Sequence, residues 1–161
     1  MDKIRRTLKR RRKEGKTDYR SRIEILKAGV PRLAVRKTNK YLIAEIIESD
    51  SAQDRIILGA SSKELLKEGW PKEKAGSLKS KPASYLTGLI LAKKSEKKIK
   101  CILDIGLQRN SARGRIYSLL KGVIDGGIEV AHSEKALPGE EEIVQNKELR
   151  EIFNKLKEKL G

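Results

Sequence analysis

The residues of this chain best suited to chemistry are a run of cations near its start, Lys9, Arg10, Arg11, Arg12 and Lys13. Guanidinium groups stay protonated at physiological pH, and their planar donors match phosphate oxygens two at a time. The first forty residues hold sixteen Lys and Arg against four Asp and Glu, so most of the formal net charge of +16 lies there. A segment of this charge density repels itself until a polyanion neutralises it. The pattern indicates nucleic acid as the partner, with a solvated tail or a nuclear-import signal as the alternative.

Asp104 is the strongest candidate for a catalytic group, because it stands in the apolar run 101–105, where an unpaired carboxylate is costly to bury. Nucleases of the ribonuclease H type hold two metal ions with converging acids on such strands. Glu45, Glu48 and Asp125 could complete a cluster, but Glu45 and Glu48 face opposite sides of an ideal strand. We therefore expect no catalytic residue and no metal site, and we expect Asp104 to accept hydrogen bonds from a loop or an arginine.

His132 and Cys101 are the only histidine and the only cysteine. Two such residues at remote positions cannot build a tetrahedral zinc site without several carboxylates, and His132 lies near no nucleophile elbow or glycine-rich turn. No apolar stretch of about 18 residues could span a membrane, and no apolar segment follows the first cations as in a signal peptide. We expect a cytoplasmic protein with no cofactor, no small-molecule substrate and no membrane partner.

The composition also limits the kind of nucleic acid that the chain could bind. Aromatic residues make up 4% of the chain, which argues against a sheet that stacks the bases of single-stranded RNA. The sequence contains no helix-turn-helix or zinc-finger signature. The remaining prediction is binding to a folded RNA through phosphates and 2′-hydroxyl groups.

A helix that begins at Thr17 or Asp18 would connect the cationic run to the folded body. Tyr19, Ile23 and Leu26 recur at helical spacing, and we expect this face to pack on the core. The basic residues of the same helix lie off that stripe. The helix would therefore carry positive charge onto the surface of the domain.

The rest of the chain alternates between strand and helix patterns. Residues 31–37, 41–48 and about 55–60 are predicted to form an antiparallel hairpin meander, and 101–107 a buried strand with parallel pairing. The predicted fold class is α/β, with a mixed sheet and packed helices. The helices are predicted between Ser61 and Gly69, from Pro82 to about Lys94, from Ile116 to Gly126, and after Asn146.

The first predicted strand places two arginines on one face of the sheet. Arg32, Ala34 and Arg36 point one way because side chains alternate along a strand. Such a face is either solvated or bound to a partner. With the cationic run nearby, we favour the partner.

Five short stretches follow one another in a specific order along most of the chain. They are Arg10–Arg12 with Gly15–Tyr19, then Val35–Asn39, Tyr85–Gly88, Leu103–Leu107, and finally Leu120–Gly122 with Asp125–Gly127. Together they resemble the archaeal and eukaryotic branch of the large-subunit ribosomal protein family that binds 5S ribosomal RNA, numbered eighteen in the universal scheme and five in eukaryotes. Two departures, Ala131 in place of a common Pro and Ser84 in place of a common Ala, affect local backbone and packing only.

The resemblance implies a non-catalytic structural component of the large subunit. Its expected partners are 5S ribosomal RNA, the large-subunit ribosomal RNA and neighbouring proteins of the central protuberance, where it would clamp the two RNAs together. It also implies a sheet related to the ribonuclease H-like topology. A metal-dependent nuclease of that topology and a general basic RNA chaperone remain the alternative functions.

The charge pattern and the resemblance together predict the residues that contact RNA and the division of the chain. We expect a basic tail over 1–16, an α/β domain that binds 5S ribosomal RNA over 17–130, and a C-terminal extension with an amphipathic helix over 131–161. The predicted contact residues are Arg5, Arg6, Lys9, Arg10, Arg11, Arg12, Lys13, Lys16, Thr17, Tyr19, Arg20, Arg22, Arg32, Arg36, Lys37, Thr38, Asn39 and Lys40.

Overall fold

The computed structural model describes residues 7–50, 53–95 and 99–160, and this part of the chain contains one five-stranded sheet. The strands are β1 Arg32–Lys37, β2 Leu42–Asp50, β3 Gln53–Ser61, β4 Lys100–Asp104 and β5 Glu129–Val130. Their order is β3-β2-β1-β4-β5, in which β1 and β3 are antiparallel to β2, and β4 is parallel to β1 and β5. The predicted fold class, a mixed sheet with an antiparallel meander and a parallel strand, is confirmed.

Helices precede β1, connect β3 to β4 and β4 to β5, and follow β5. The four helices predicted after the meander are present, and three short elements, α1, α6 and β5, carried no signal in the sequence. Short segments of tighter helix occur at Ser62–Glu64, Lys72–Ser77 and Glu134–Ala136. The α-helices are α1 Arg10–Lys13, α2 Tyr19–Lys27, α3 Leu65–Glu68, α4 Lys81–Lys93, α5 Arg115–Asp125, α6 Glu140–Ile143 and α7 Lys147–Leu160.

Local side-chain contacts explain where several of these helices begin. Ser61 and Glu64 form a capping box, in which Ser61 N donates to Glu64 Oε1 over 3.0 Å. Ser80 is the N-cap of α4, with Pro82 in the first turn, where no backbone donor is needed. Asp18 accepts hydrogen bonds from the first backbone amides of α2. These starts follow from sequence-local chemistry, which is why the sequence predicted those at Asp18 and Ser61.

Strand β4 is shorter than predicted, since it ends at Asp104 and does not continue to Leu107. Gly106 has a φ of +59°, a conformation that favours glycine. Its backbone amide donates to Asp104 Oδ1 over 2.8 Å, which closes a turn directly after the strand. The apolar run that predicted a longer strand therefore bends away from the sheet.

The hydrophobic core lies between one face of the sheet and the layer formed by α4, α5 and α7. Helix α4 is buried from Pro82 to Ala92, as its apolar sequence predicted. Phe153 of α7 packs against Tyr85 of α4 with ring centroids 5.4 Å apart. The last helix therefore docks on the body of this chain.

The backbones of α4 and α5 touch where they cross. A Cβ atom added to Gly122 would overlap the carbonyl oxygen of Tyr85, and one added to Gly88 would overlap that of Leu119. Because backbone cannot yield as a flexible side chain does, we expect Gly122→Ala to lower the free energy of unfolding by about 1–3 kcal/mol. Urea denaturation measures this change.

Gly76→Ala is the matched control for this substitution. No heavy atom lies within 4 Å of the position that a Cβ atom would take at Gly76. We expect its effect on the free energy of unfolding to stay within about 0.5 kcal/mol. Equal effects of the two substitutions would contradict the close crossing of α4 and α5.

Candidate nucleic-acid interface

The face of the sheet opposite the core carries a buried ionic network centred on Asp104. The β1–β4 register pairs Ala34 with Asp104, so Arg32 and Arg36 flank the carboxylate on the same face. Arg32 Nη1 donates to Asp104 Oδ2 over 2.7 Å, and Arg36 Nη2 donates to the same oxygen over 3.0 Å. The side chains of Arg32 and Asp104 are 6% and 8% exposed, whereas that of Arg36 is 40% exposed. One carboxylate therefore holds a buried arginine and an accessible one.

The remaining contacts of Asp104 and Arg36 fix both groups. Arg36 Nη1 donates to the carbonyl oxygens of Asp104 and Val35 over 2.7 and 2.9 Å. Burial raises the pKa of Asp104, but the hydrogen bond and charge of Arg36, the amide of Gly106 and the charge of Arg32 together outweigh it, so the pKa lies below its usual value. Asp104 is thus an ionised structural group, and the expectation that it accepts hydrogen bonds from a loop or an arginine is confirmed.

A second carboxylate, Asp54 of β3, connects this network to helix α2. It accepts hydrogen bonds from Arg22 of α2 over 2.8 Å, from Ser49 over 2.7 Å, and from Arg32. Burial raises its pKa, but the hydrogen bonds from these three side chains outweigh burial and lower the pKa to about 2. The arginines of α2 and β1 are therefore linked through one charged oxygen.

Helix α2 corrects one prediction, because its apolar stripe does not reach the hydrophobic core. No residue of α2 is buried, and Ile23 is 51% exposed. The ion pair from Arg22 places the helix beside the face of the sheet that carries Arg32, whereas the core residues Leu33 and Val35 point to the other face. A face of charged side chains offers no apolar surface on which Ile23 could be buried.

The segment that precedes α2 is organised by hydrogen bonds between exposed residues. Asp18 Oδ2 accepts from the hydroxyl of Ser21 over 2.8 Å, and this bond and those from backbone amides lower the pKa of Asp18. Arg11 Nε donates to Thr17 Oγ1 over 2.9 Å. Lys9 lies over the ring of Tyr19, with Nζ 4.6 Å from the centroid. These contacts turn the cationic run back towards α2.

A cleft of about 610 Å³ lies between this segment and the turn after β4. Its cations outnumber its carboxylates, and the two carboxylates, Asp18 and Asp104, are already hydrogen-bonded within the protein. Arg11, Lys16, Arg22, Arg32, Arg36 and Lys37 contribute the positive charge that lines it. The cleft can therefore attract a phosphate group, and its guanidinium and ammonium groups can donate hydrogen bonds to it.

The predicted contact residues fall into an exposed group and a buried one. Residues 9–13 are exposed, as are Lys16, Arg20 and residues 37–40, so all of these side chains are available to a partner. Thr17, Tyr19, Arg22 and Arg36 are partly buried, whereas Arg32 is buried and paired with two carboxylates. Arg5 and Arg6 lie outside the described residues. RNA contact remains a prediction for the whole set, and the geometry gives Arg32 the further role of holding Asp54 and Asp104.

Sequence reasoning did not identify two residues that organise the site. Asp54 joins β3, β1 and α2, and Gln108 fastens the turn after β4 to β1 by accepting from Lys37 N over 3.0 Å and donating to Val35 O over 2.9 Å. Both lie far along the chain from at least one partner, so no local pattern could have pointed to them. For Gln108, the available signal in the sequence was the turn formed by Asp104, Ile105 and Gly106, which precedes it.

The described part of the chain offers no arrangement suited to metal-dependent hydrolysis. It contains no group of three or more His, Cys, Asp or Glu residues that could hold a metal ion. His132 Nδ1 lies 2.7 Å from the carbonyl oxygen of Val130, a local contact with the backbone. None of the described helices combines the length and the hydropathy that a membrane span requires.

One face of the mixed sheet packs against helices, and the other lies beside a cationic cleft. This arrangement defines the class as a basic α/β protein with a cleft suited to a polyanion. Comparison with known proteins gives the family. The chain belongs to the ribosomal large subunit proteins 60S L5 and 50S L18, whose family model matches residues 4–100 and 93–133. It is accordingly a structural component of the large ribosomal subunit and not an enzyme, and it resides with the ribosome in the cytoplasm.

Individual relatives agree with this assignment. The chain is 46% identical over 136 residues to the large ribosomal subunit protein uL18 of Korarchaeum cryptofilum, covering 83% of this chain and 68% of that protein. It is 40% identical over 136 residues to uL18 of Methanoregula boonei, covering 83% and 76%. Aeropyrum pernix uL18 is 41% identical over 137 residues, covering 83% and 62%. The family resemblance inferred from the five stretches is confirmed, and ribosomal RNA and ribosomal proteins follow as the classes of partner.

Proposed function

We propose that this protein binds 5S ribosomal RNA and anchors it to the large ribosomal RNA in the central protuberance. The observation that carries the proposal is the Asp104 network, which fixes the partly exposed guanidinium of Arg36 at a cleft lined by six cationic side chains. A guanidinium held in one orientation can select a phosphate position, which a freely rotating lysine cannot. Family membership supports RNA as the polyanion.

Two kinds of cation divide the work of binding. Exposed residues such as Arg10 and Arg20, whose side chains are 84% and 90% exposed, can neutralise phosphates wherever the backbone passes. Such contacts supply affinity and carry no sequence information. Arg36 and Arg22, held by carboxylates, are fixed relative to the sheet and can report the shape of a folded RNA. Affinity would thus come largely from the basic tail, and the choice of RNA from the domain.

The proposal has a quantitative signature in salt. If about eight phosphates are neutralised, the logarithm of the affinity should fall with the logarithm of the salt concentration with a slope of about −7. Shape-dependent contacts add affinity that depends less on salt. A preference for the correct RNA should therefore persist as salt rises, while overall affinity falls.

The test is binding of the purified protein to an archaeal 5S ribosomal RNA and to a transfer RNA, across salt, with magnesium present and RNA integrity monitored. We expect a preference for 5S ribosomal RNA that survives rising salt, without cleavage. Equal affinity for the two RNAs would overturn the proposal in favour of a basic RNA chaperone. Cleavage that is lost on Asp104→Asn would overturn it in favour of a nuclease.

A further inference from the structure

The turn after β4 forms a second wall of the cationic cleft, and the residues predicted to contact RNA do not include it. Residues 103–108 line the cleft together with Arg11, Lys16 and α2. Within this turn Leu107 is 56% exposed, one of the few large apolar side chains on the surface of the described residues. A single exposed leucine is ordinary on a protein surface, but Leu107 lines a cationic cleft, so its apolar surface is available to an occupant of that cleft.

The turn is rigidly attached to the sheet that carries Arg36. Gly106 is held by Asp104, and Gln108 bonds to both the amide of Lys37 and the carbonyl of Val35. A Cβ atom added to Gly106 would lie 3.2 Å from the guanidinium carbon of Arg36, so the turn and that side chain are in close contact. Leu107 and Arg36 are therefore held in fixed positions relative to each other, as a preformed binding site requires.

The charges along the same turn remain available to a partner. Arg109 is exposed and has no hydrogen bond or carboxylate partner within the described residues. Arg32 lines the cleft with a side chain that is 6% exposed. Its Nε is buried and has no hydrogen-bond partner among the described residues. An unmet donor and an unpaired guanidinium, one inside the cleft and one beyond its rim, both favour an anionic occupant.

The size of the cleft matches one unit of a nucleic-acid strand. A volume of about 610 Å³ lies within the range of roughly 300–1,000 Å³ typical of small-molecule sites, which suffices for a nucleotide. A sugar-phosphate strand presents an anionic phosphate next to a ribose with apolar carbon atoms. That alternation matches cations on one wall and an exposed leucine on the other.

We propose that a single strand of RNA runs through this cleft, with a phosphate bound between the N-terminal cations and Arg36 and a ribose packed against Leu107. Arg109 then contacts the following phosphate. The inference rests on the proposed function and adds the turn from Ile105 to Arg109 as a second RNA-contact element. A protein that covers Leu107 is the competing occupant, and the experiment separates the two.

The first experiment places a cleavage probe at Leu107. Cys101 is 1% exposed, and burial raises the pKa of its thiol to about 11, so a thiol-directed reagent should ignore it. The variants Leu107→Cys and Lys155→Cys, the latter at an exposed site on α7, each receive an iron chelate that generates hydroxyl radicals. With bound 5S ribosomal RNA, we expect discrete strand cuts from position 107 that exceed those from position 155. Equal cutting from both positions would show that no strand is held at Leu107 and would overturn the proposal.

The second experiment compares two arginine substitutions of equal charge. Arg109→Gln should weaken binding to 5S ribosomal RNA by about threefold to tenfold and reduce the magnitude of the salt slope by about 1. Arg150→Gln, at an exposed position on α7 that does not line the cleft, should change neither quantity. Equal behaviour of the two variants would overturn the role of Arg109. If the unsubstituted protein itself showed no preference for 5S ribosomal RNA over transfer RNA, the proposed function would have failed, which is a different result.

Discussion

Deletion of residues 1–16 is expected to weaken binding to 5S ribosomal RNA about a hundredfold or more at moderate salt. This segment holds nine Lys and Arg against two acids, and its described cations are exposed. If it supplies about five of eight phosphate contacts, the salt slope should change from about −7 to about −3. Filter binding across a salt series measures both quantities.

The folded domain should survive this deletion. Helix α1 buries none of its residues, and the core lies on the far side of the sheet. We expect the free energy of unfolding to change by less than about 0.5 kcal/mol. A truncated protein that lost its sheet signal in circular dichroism would contradict the assignment of this segment to RNA binding alone.

A charge-matched control separates position from net charge. The triple substitution of Arg10, Arg11 and Arg12 by glutamine removes three charges from the basic run. Glutamine at Lys72, Arg150 and Lys155 removes three exposed charges elsewhere. The first variant should lose most of the affinity that the deletion loses, and the second should retain it. Similar losses would mean that binding follows net charge and not the location of the cations.

Asp104→Ala is expected to have the largest effect on stability, a loss of about 3–5 kcal/mol in the free energy of unfolding. The substitution leaves the guanidinium of Arg32, 6% exposed, without one of its two carboxylates, and it removes the group that holds Arg36. Asp104→Asn keeps the shape and should lose less, which provides a folded variant for measurement. Glu129→Gln is the control. The side chains of Glu129 and its partner Lys100 are 72% and 69% exposed, so this ion pair should contribute at most about 1 kcal/mol.

Protonation of Asp104 and Asp54 in acid should lower the free energy of unfolding, as substitution of Asp104 does. The pKa values of Asp104 and Asp54 lie below the ordinary 3.8 in the folded protein, so the folded state binds fewer protons than the unfolded state as the pH falls. Their contribution is fully present from about pH 5 upwards, above the unfolded pKa, and is lost as the pH falls through the folded pKa, about 2 for Asp54. The stability difference between the unsubstituted protein and Asp104→Asn should therefore shrink across that interval. A constant difference would contradict an ionised Asp104.

The RNA preference of Asp104→Asn tests whether Asp104 positions Arg36 or acts only through its contribution to the net charge. Asp104→Asn raises the net charge by one, so non-specific attraction alone predicts slightly tighter binding to every RNA. If Asp104 positions Arg36, the preference for 5S ribosomal RNA over transfer RNA should fall even though overall attraction rises. An unchanged preference would leave the network with a role in stability only.

The sequence predicted those parts of the fold that depend on near neighbours. The capping box of Ser61 and Glu64, the N-cap of Asp18 and the nearly uniform apolar character of α4 each lie within a few residues of the structure they specify. The same holds for the charge of the first forty residues, which identified the class of partner. The extent of β4 was misjudged because the turn at Gly106 depends on a left-handed backbone conformation that an apolar run does not reveal.

The sequence by itself determined the basic tail, the α/β class and the family, because composition, periodicity and motif order are all properties of the linear chain. Only the tertiary structure decided which arginines remain available to RNA. Arg32 and Arg36 lie on the same face of β1, and the sequence pattern does not distinguish them. Arg32 is buried between Asp54 and Asp104, whereas Arg36 opens onto the cleft. Asp54 lies 22 residues from Arg32, and Asp104 lies 72 and 68 residues from Arg32 and Arg36. The pairing of β1 with β4 brings Asp104 to both arginines, and the pairings of β1 with β2 and of β2 with β3 bring Asp54 to Arg32. Pairing across such separations is set by the global packing of the sheet, and no local pattern encodes it.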